Sequence, residues 1–391
     1  MTAPDKIKIL EYTMGNFASG RVLPAKKGGA AIHLYYNEGA WIEGRAEDQL
    51  QQVACLEGVR AVAAFPDLHP GKYGPVGCAV LSDKLHPQLV GSDIGCGMAL
   101  YALDLPLRRW KPDKMAAKLR CLAEPHGWDL TEDLEHYDLT GDLFLEALGT
   151  IGTGNHFCEV QRVVQADAES GLTKDQLCLL VHTGSRGLGH QLLQEVLADG
   201  LVAYDPASAE GQAWLERHDQ AVTWAWLNRM VIAQRAASAL RCNLTLISDC
   251  PHNLVTQELG AWLHRKGAAQ LQDLVPLAGT RATDSFLLKP GAGGNAALNS
   301  CAHGAGRRYD RASMHGRVSK AKSSLEALRR PTANGRVICE DKAMLIEEAP
   351  QAYKSAADVA NDLARFDVAH VVATLAPLMT FKHAKTGGRH D

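Results

Sequence analysis

Two short stretches carry residue types that bind metal ions and move phosphate. In D-I-G-C-G, Asp93 and Cys96 are three positions apart in a glycine-framed turn, so a carboxylate and a thiol can converge from one loop. A thiolate with one carboxylate and several imidazoles is a transition-metal set, too soft for a dedicated Mg²⁺ or Ca²⁺ site. The remaining ligands must then be histidines. Of the 16 in the chain, His156, His182 and His252 are the best candidates, each beside a Gly- or Asn-bearing turn at the edge of an apolar run. His69, His190 and His264 compete for the role, and spacing does not rank them.

The second stretch is N-S-C-A-H-G-A-G-R-R-Y-D-R, residues 299–311. An imidazole can act as a covalent nucleophile toward phosphorus if cations screen the incoming phosphates. Around His303, the run Gly304-Ala305-Gly306 offers backbone N–H donors and Arg307 offers a phosphate fork. From 303 to 330 eight Lys and Arg residues face two acids, a basic patch in a chain whose net charge is −3. That balance excludes a protein that is basic all over and leaves nucleic-acid affinity to a local surface.

Something must hold these groups in place. Apolar runs bounded by Gly and Pro predict strands at 59–65, 78–81, 99–105, 177–182, 244–248, 285–289 and 336–339. Helical spacing predicts helices at 48–55, 191–201, 219–240 and 319–330. Glycine-rich loops carrying Cys, His, Asp or Asn recur at strand ends, among them P-D-L-H-P-G-K-Y-G at 66–74 and V-H-T-G-S-R-G-L-G-H-Q at 181–191. Glycine there serves either turn geometry or the close approach of a phosphate to backbone N–H groups, and the number of such loops favours the phosphate. G-x-x-x-x-G-K-[ST] and G-x-S-x-G are absent, and G-A-G-G-N-A at 291–296 has no helical pattern behind it to make it a dinucleotide loop.

With 391 residues, 46% of them hydrophobic, and no linker-like segment, the chain reads as one large α/β (α+β) domain over 1–391. Its N-terminal M-T-A-P-D-K-I-K is not of signal-peptide type, no apolar run is long enough for a membrane span, and the 10 cysteines form no C-x-x-C pair. The expectation is a cytoplasmic protein with reduced thiols.

Taken together, D-I-G-C-G-M, G-T-G-N-H-F-x-E, H-T-G-S-R-G-L-G-H-Q, the H-N after Cys250, R-K-G-A at 265–268, S-C-A-H-G-A-G-R and E-E-A-P-Q-A-Y-K at 347–354 resemble the RtcB-type RNA ligases from about Phe65 to Lys382. The resemblance implies an α/β fold with central sheets lining an active-site cleft. It also implies a GTP- and Mn²⁺-dependent joining of RNA 3′-phosphate or 2′,3′-cyclic phosphate ends to 5′-hydroxyl ends. His303 would take GMP from GTP. Cys96 would bridge two Mn²⁺ ions, one completed by His182 and His252, the other by Asp93 and His156. Guanylate contacts would fall on Asn155, His156, Glu159, His252, Asn253, Gly279, Thr280, Arg281, Ser285, Gly304, Ala305, Gly306, Tyr353 and Lys382, with Glu159 and Lys382 near the base. The chain departs from the family pattern at Cys250-Pro251, Thr280-Arg281, Tyr309-Asp310 and His383. Two rivals stand beside this reading: a metal-dependent RNA-end phosphatase or cyclic phosphodiesterase that does not ligate, and a non-catalytic RNA-binding protein.

Overall fold

The computed structural model of the chain describes residues 20–383 apart from 125, 199, 201 and 202. The N-terminal stretch read above and the predicted helix end at 201 lie outside the described residues. One sheet runs β1 (Arg21–Leu23), β2 (Ala31–Leu34), β3 (Val59–His69), β4 (Val76–Ser82), β10 (Ala261–Lys266), β9 (Asn253–Glu258) in that order, antiparallel except between β2 and β3. The larger sheet runs β12 (Val275–Leu277), β13 (Ser285–Pro290), β16 (Ala369–His383), β6 (Phe157–Ala166), β7 (Leu177–Thr183), β5 (Gly97–Leu103), β8 (Leu244–Pro251), with β15 (Arg336–Cys339) parallel to β16 off the path. It curls toward a barrel. Ser248 at one end donates a 2.5 Å hydrogen bond to the carbonyl of Leu274, next to β12 at the other. β11 (Ala268–Gln270) and β14 (Ser300–Ala302) form a separate ribbon.

The chain crosses between sheets at two single residues. His252 separates β8 from β9, and Gly267 separates β10 from β11. Gly267 has φ +64°, and a Cβ there would lie 2.3 Å from Val76 Cγ1, so only glycine fits. Strand-ends from both sheets therefore meet at one place.

The described residues hold helices α1 (Gly44–Ala54), α2 (Pro112–Leu119), α3 (Thr131–His136), α4 (Gly187–Ala198), α5 (Ala209–Leu240), α6 (Arg311–Arg317), α7 (Lys322–Arg329), α8 (Lys342–Glu347) and α9 (Ala356–Arg365). α1 buries Ala46, Leu50, Val53 and Ala54 against β3 and β4, a spacing of one helix face. α5 is the long brace. Ser208 caps it, its hydroxyl accepting the Gly211 N–H, and Arg241 ends it in the left-handed region. Its start precedes the predicted 219 because the polar turns from Ala209 on carry little apolar signal, whereas the later turns pack Ile232, Ala233, Ala236 and Leu240 on β5 and β7. The basic segment predicted as one helix over 319–330 begins its helix only at Lys322, with α6 a separate element before it.

Candidate active site

The turn carrying Asp93 and Cys96 closes on itself and is then stitched to the crossing after β8. Cys96 N–H donates to the Asp93 carbonyl, His252 N–H to the Cys96 carbonyl at 2.7 Å, and Gly95 N–H to the Asn253 carbonyl at 2.7 Å. α5 supports the same turn through Arg229, which is 1% exposed, paired with Asp249, and donates to the carbonyls of Gly95 and Thr183. Net stabilisation by such a buried pair is small, yet removing one partner typically costs about 3–5 kcal/mol. The brace therefore fixes the thiol's position.

Around Cys96 the side chains converge in two halves. Its Sγ is 3.5 Å from His156 Nε2 and 3.3 Å from His182 Nε2. On one side His156 Nε2 meets Asp93 Oδ2 at 2.7 Å, and on the other His182 Nε2 meets His252 Nε2 at 3.3 Å. Burial holds His182 and His252 well below the ordinary histidine range, helped by the neighbouring imidazoles, so both are neutral. Two neutral imidazoles whose Nε2 atoms face each other and a buried sulfur at this spacing can share a proton or together hold a divalent cation. Burial, then Asp93, pushes the Cys96 thiol well up. Asp93 is below the usual carboxylate range because His156, Cys96 and Arg186 outweigh its burial. Cys96, His156 and His182 form a cluster with ligand-atom spacing that fits an ion. Of the competing histidines, His264 accepts the His86 N–H and His190 is exposed on α4, while His69 bonds the Asp67 carbonyl and lines the cleft outside the Cys96 cluster.

His303 follows β14, and its ring centroid is 4.3 Å from that of His252. Its Nδ1 lies 2.7 Å from the Gly267 carbonyl and 2.8 Å from Asp67 Oδ2. Both partners are acceptors, so Nδ1 carries the proton and Nε2 keeps its lone pair. Asp67 also receives the His303 N–H at 3.3 Å. Asp67 was not among the predicted residues, although its loop at 66–74 was. Gly267 acts through a carbonyl, which no side-chain pattern reports. Gly306, with φ +70°, lets the His303 loop cross the end of β3 at Asp67, where a Cβ would lie 2.3 Å from the Asp67 carbonyl oxygen. Here glycine serves a close chain crossing, not a phosphate.

The cleft above His303 has a volume of about 680 Å³. Asn155, Glu159, Gly279, Thr280, Arg281, Gly304, Ala305, Gly306, Tyr353 and Lys382 line it with His182 and His303. Ser285 and Asn253 stand behind the wall. Ser285 Oγ accepts from Gly279 N–H and Gln161, while Asn253 donates to the Asp93 carbonyl and accepts the Gly267 N–H, tying the two halves of the site together. Arg281 is 6% exposed, donates one N–H to the Leu345 carbonyl, and leaves Nε and Nη1 without partners. Burial raises Glu159 to about 7 and, partly offset by Glu348, lowers Lys382 to about 8.

Two expectations for the His303 loop need correction. The Ala305 N–H is spent on the Ala278 carbonyl, because the loop pairs with Ala278. Arg307 is not a free phosphate fork: its guanidinium donates to Glu348 at 3.0 Å and to the carbonyls of Glu347 and Tyr309. Glu348, also contacted by Arg311 and Tyr353, is held down to about 2 because Lys382, Arg307 and Arg311 outweigh its burial. This buried acid belongs to E-E-A-P-Q-A-Y-K, yet its part as a hub was not legible there. The 291–296 loop packs on the Asp367 backbone, away from the cleft.

A family model described as tRNA-splicing ligase RtcB matches residues 49–142 and 142–383. The RNA-splicing ligase RtcB2 of Escherichia coli is 38% identical over 374 residues, covering 92% of this chain and 97% of that protein. The RNA-splicing ligase RtcB of Mycobacterium tuberculosis is 30% identical over 435 residues, covering 84% and 99%. The tRNA-splicing ligase RtcB of Aeropyrum pernix is 26% identical over 454 residues, covering 88% and 94%.

Proposed function

The chain belongs to the RtcB family of RNA ligases, and on that premise we propose that it joins RNA 3′-phosphate or 2′,3′-cyclic phosphate ends to 5′-hydroxyl ends, using GTP, two Mn²⁺ ions and a guanylate carried covalently on His303. One observation carries the reading: a histidine with Nδ1 held by Gly267 and Asp67 points its free Nε2 into a cleft beside a Cys/His/Asp cluster. Cys96 would serve both ions, with His182 and His252 completing one set and Asp93 and His156 the other. When bound, the ions would screen phosphate oxygens and act as Lewis acids.

The chain's own residues do the rest. Nε2 of His303 attacks the α-phosphorus of GTP; the N–P bond forms, the bond to the bridging oxygen breaks, and pyrophosphate leaves. The ring gains positive charge, which Asp67 and the Gly267 carbonyl stabilise through the Nδ1 proton. An oxygen of the RNA 3′-phosphate then attacks the guanylate phosphorus and the N–P electron pair returns to Nε2. The 5′-hydroxyl attacks the activated 3′-phosphate, loses its proton to solvent and expels GMP. A cyclic phosphate must first be opened by water. Residues from Asp67 to Lys382 meet in this site, which supports treating 1–391 as one catalytic domain. A working Cys96 needs thiols kept reduced, and all ten cysteines are unpaired, which supports a cytoplasmic setting. Among the described residues no helix is long and apolar enough to cross a membrane.

The test is incubation with α-labelled GTP and Mn²⁺ followed by denaturing electrophoresis. Acid-labile label on the protein is the expected result, and no label with any divalent metal would sink the reading. End-processing without label would favour the phosphatase.

Guanine presents N1–H and N2–H donors and an O6 acceptor, which suit an ionised Glu159 and a protonated Lys382. Glu159 is ionised above about 7 and Lys382 is charged below about 8. The KM for GTP should therefore be lowest between those values and rise on both sides. Glu159→Gln should remove the acidic limb alone; a profile flat from pH 6 to 9 would dissociate these two groups from the base.

A further inference from the structure

The segment after His303 divides its cations. Arg307 turns inward to Glu348, whereas Arg308 and Arg317 turn outward and have no carboxylate partner among the described residues. Arg308 lies 5.7 Å from the ring centroid of Trp41 and 5.4 Å from that of Tyr309, and Arg317 lies 3.8 Å over Tyr309. Trp41 and Tyr309 are 6.2 Å apart, edge to face. Trp41 is 40% exposed, an unusual state for the largest apolar side chain. The backbone beneath is fixed: the N–H groups of Arg308 and Tyr309 both donate to the Ala352 carbonyl. Arg308 and Tyr309, together with Glu43 and Arg45 beside Trp41, line the mouth of the cleft that holds His303.

We infer that Trp41 and Tyr309, flanked by Arg308 and Arg317, form a stacking platform that receives unpaired bases of the RNA next to the end being joined; the inference rests on the ligase reading above. Proteins that hold single strands combine cations along the backbone path with exposed aromatic faces, because every base has a face to stack. Here the exposed aromatic face is that of Trp41, backed by the half-buried Tyr309 and attended by Arg308 and, at 5.9 Å, Lys354, and the cluster is continuous with the cleft into which a 3′-phosphate must descend. A protein-docking patch also joins tryptophan to arginines, but this cluster adjoins the cleft that must admit an RNA end, which favours the RNA.

The test is fluorescence anisotropy with a labelled single-stranded RNA bearing a 3′-phosphate, titrated with the full chain over a salt series. Trp41→Ala should weaken binding about 5- to 50-fold and Trp41→Phe much less. Arg308→Gln combined with Arg317→Gln should reduce the slope of log affinity against log salt by about 1.4. Label transfer from GTP in Trp41→Ala should match the wild type. RNA affinity within twofold of the wild type in Trp41→Ala overturns the platform, as would binding of a protein through Trp41 that RNA does not displace. Loss of label transfer in the wild type with Trp41-dependent RNA binding intact overturns the ligase reading instead.

Discussion

His303→Ala should lose all transfer of label from GTP to the protein, and Asp67→Asn should slow that transfer by about 10²- to 10⁴-fold with little change in the KM for GTP. The first removes the atom to which the ligase reading assigns the N–P bond. The second is nearly isosteric and sits on a wholly buried residue, so the loop keeps its shape. It removes the negative charge that faces Nδ1 at 2.8 Å as the ring becomes cationic, and the amide can present N–H where an acceptor is needed. Thermal unfolding near that of the wild type, measured alongside, separates this effect from loss of fold. Label on His303→Ala would move the nucleophile elsewhere. Label transfer at the wild-type rate in Asp67→Asn would reduce Asp67 to a structural anchor.

Cys96→Ala should reduce bound Mn²⁺ below about one ion per chain and carry label transfer down with it. The sulfur lies 3.5 Å from one histidine and 3.3 Å from another, so it belongs to both halves of the cluster, and no other described side chain does. Without it, His182 and His252 keep two nitrogens and His156 and Asp93 one nitrogen and one carboxylate, sets too small for tight binding. Metal analysis after dialysis gives the stoichiometry without reference to activity. Cys178→Ala is the matched control: its thiol is equally buried but packs among Leu100, Leu172 and Leu180. Equal metal content in the two variants would exclude Cys96 as a ligand.

The strands legible in the sequence are those whose apolar runs are uninterrupted, such as β5 and β7, both buried along their whole length. β6 and β16, which adjoin each other in the same sheet, were missed. Their cleft-facing positions are polar, Glu159 on one and Thr380 and Lys382 on the other, and Gln161 beside Glu159 is polar too, all of them buried. Positions that make a site are the ones that break the pattern from which strands are read. β9 and β10 hide for a related reason, carrying Glu258, His264, Arg265 and Lys266 within short runs. The convergence of Asp93, Cys96, His156, His182 and His252 was legible because their residue types are chemically restrictive. Asp67 fell in the stretch read as a loop after 65, whereas β3 continues to His69, and only the packing of that strand end under His303 reveals its role. Arg307 was misread because an arginine after a glycine loop resembles a phosphate ligand until Glu348, 41 positions later, occupies it.

The pairing of β16 with β6 sets Ala373 opposite Ala166 and Phe381 opposite Cys158. Partners so distant along the chain meet only after most of the loop-closure entropy has been lost, which places this pairing late and makes it slow. The larger sheet cannot complete its curl before then, and Glu159 and Lys382 cannot come together on neighbouring strands. Partly folded chains would thus hold His303 and the Cys96 cluster without the Glu159 and Lys382 wall of the cleft. Enzymatic activity becomes a measure of completed folding, and quality control over this protein is built into the order in which its strands can find one another.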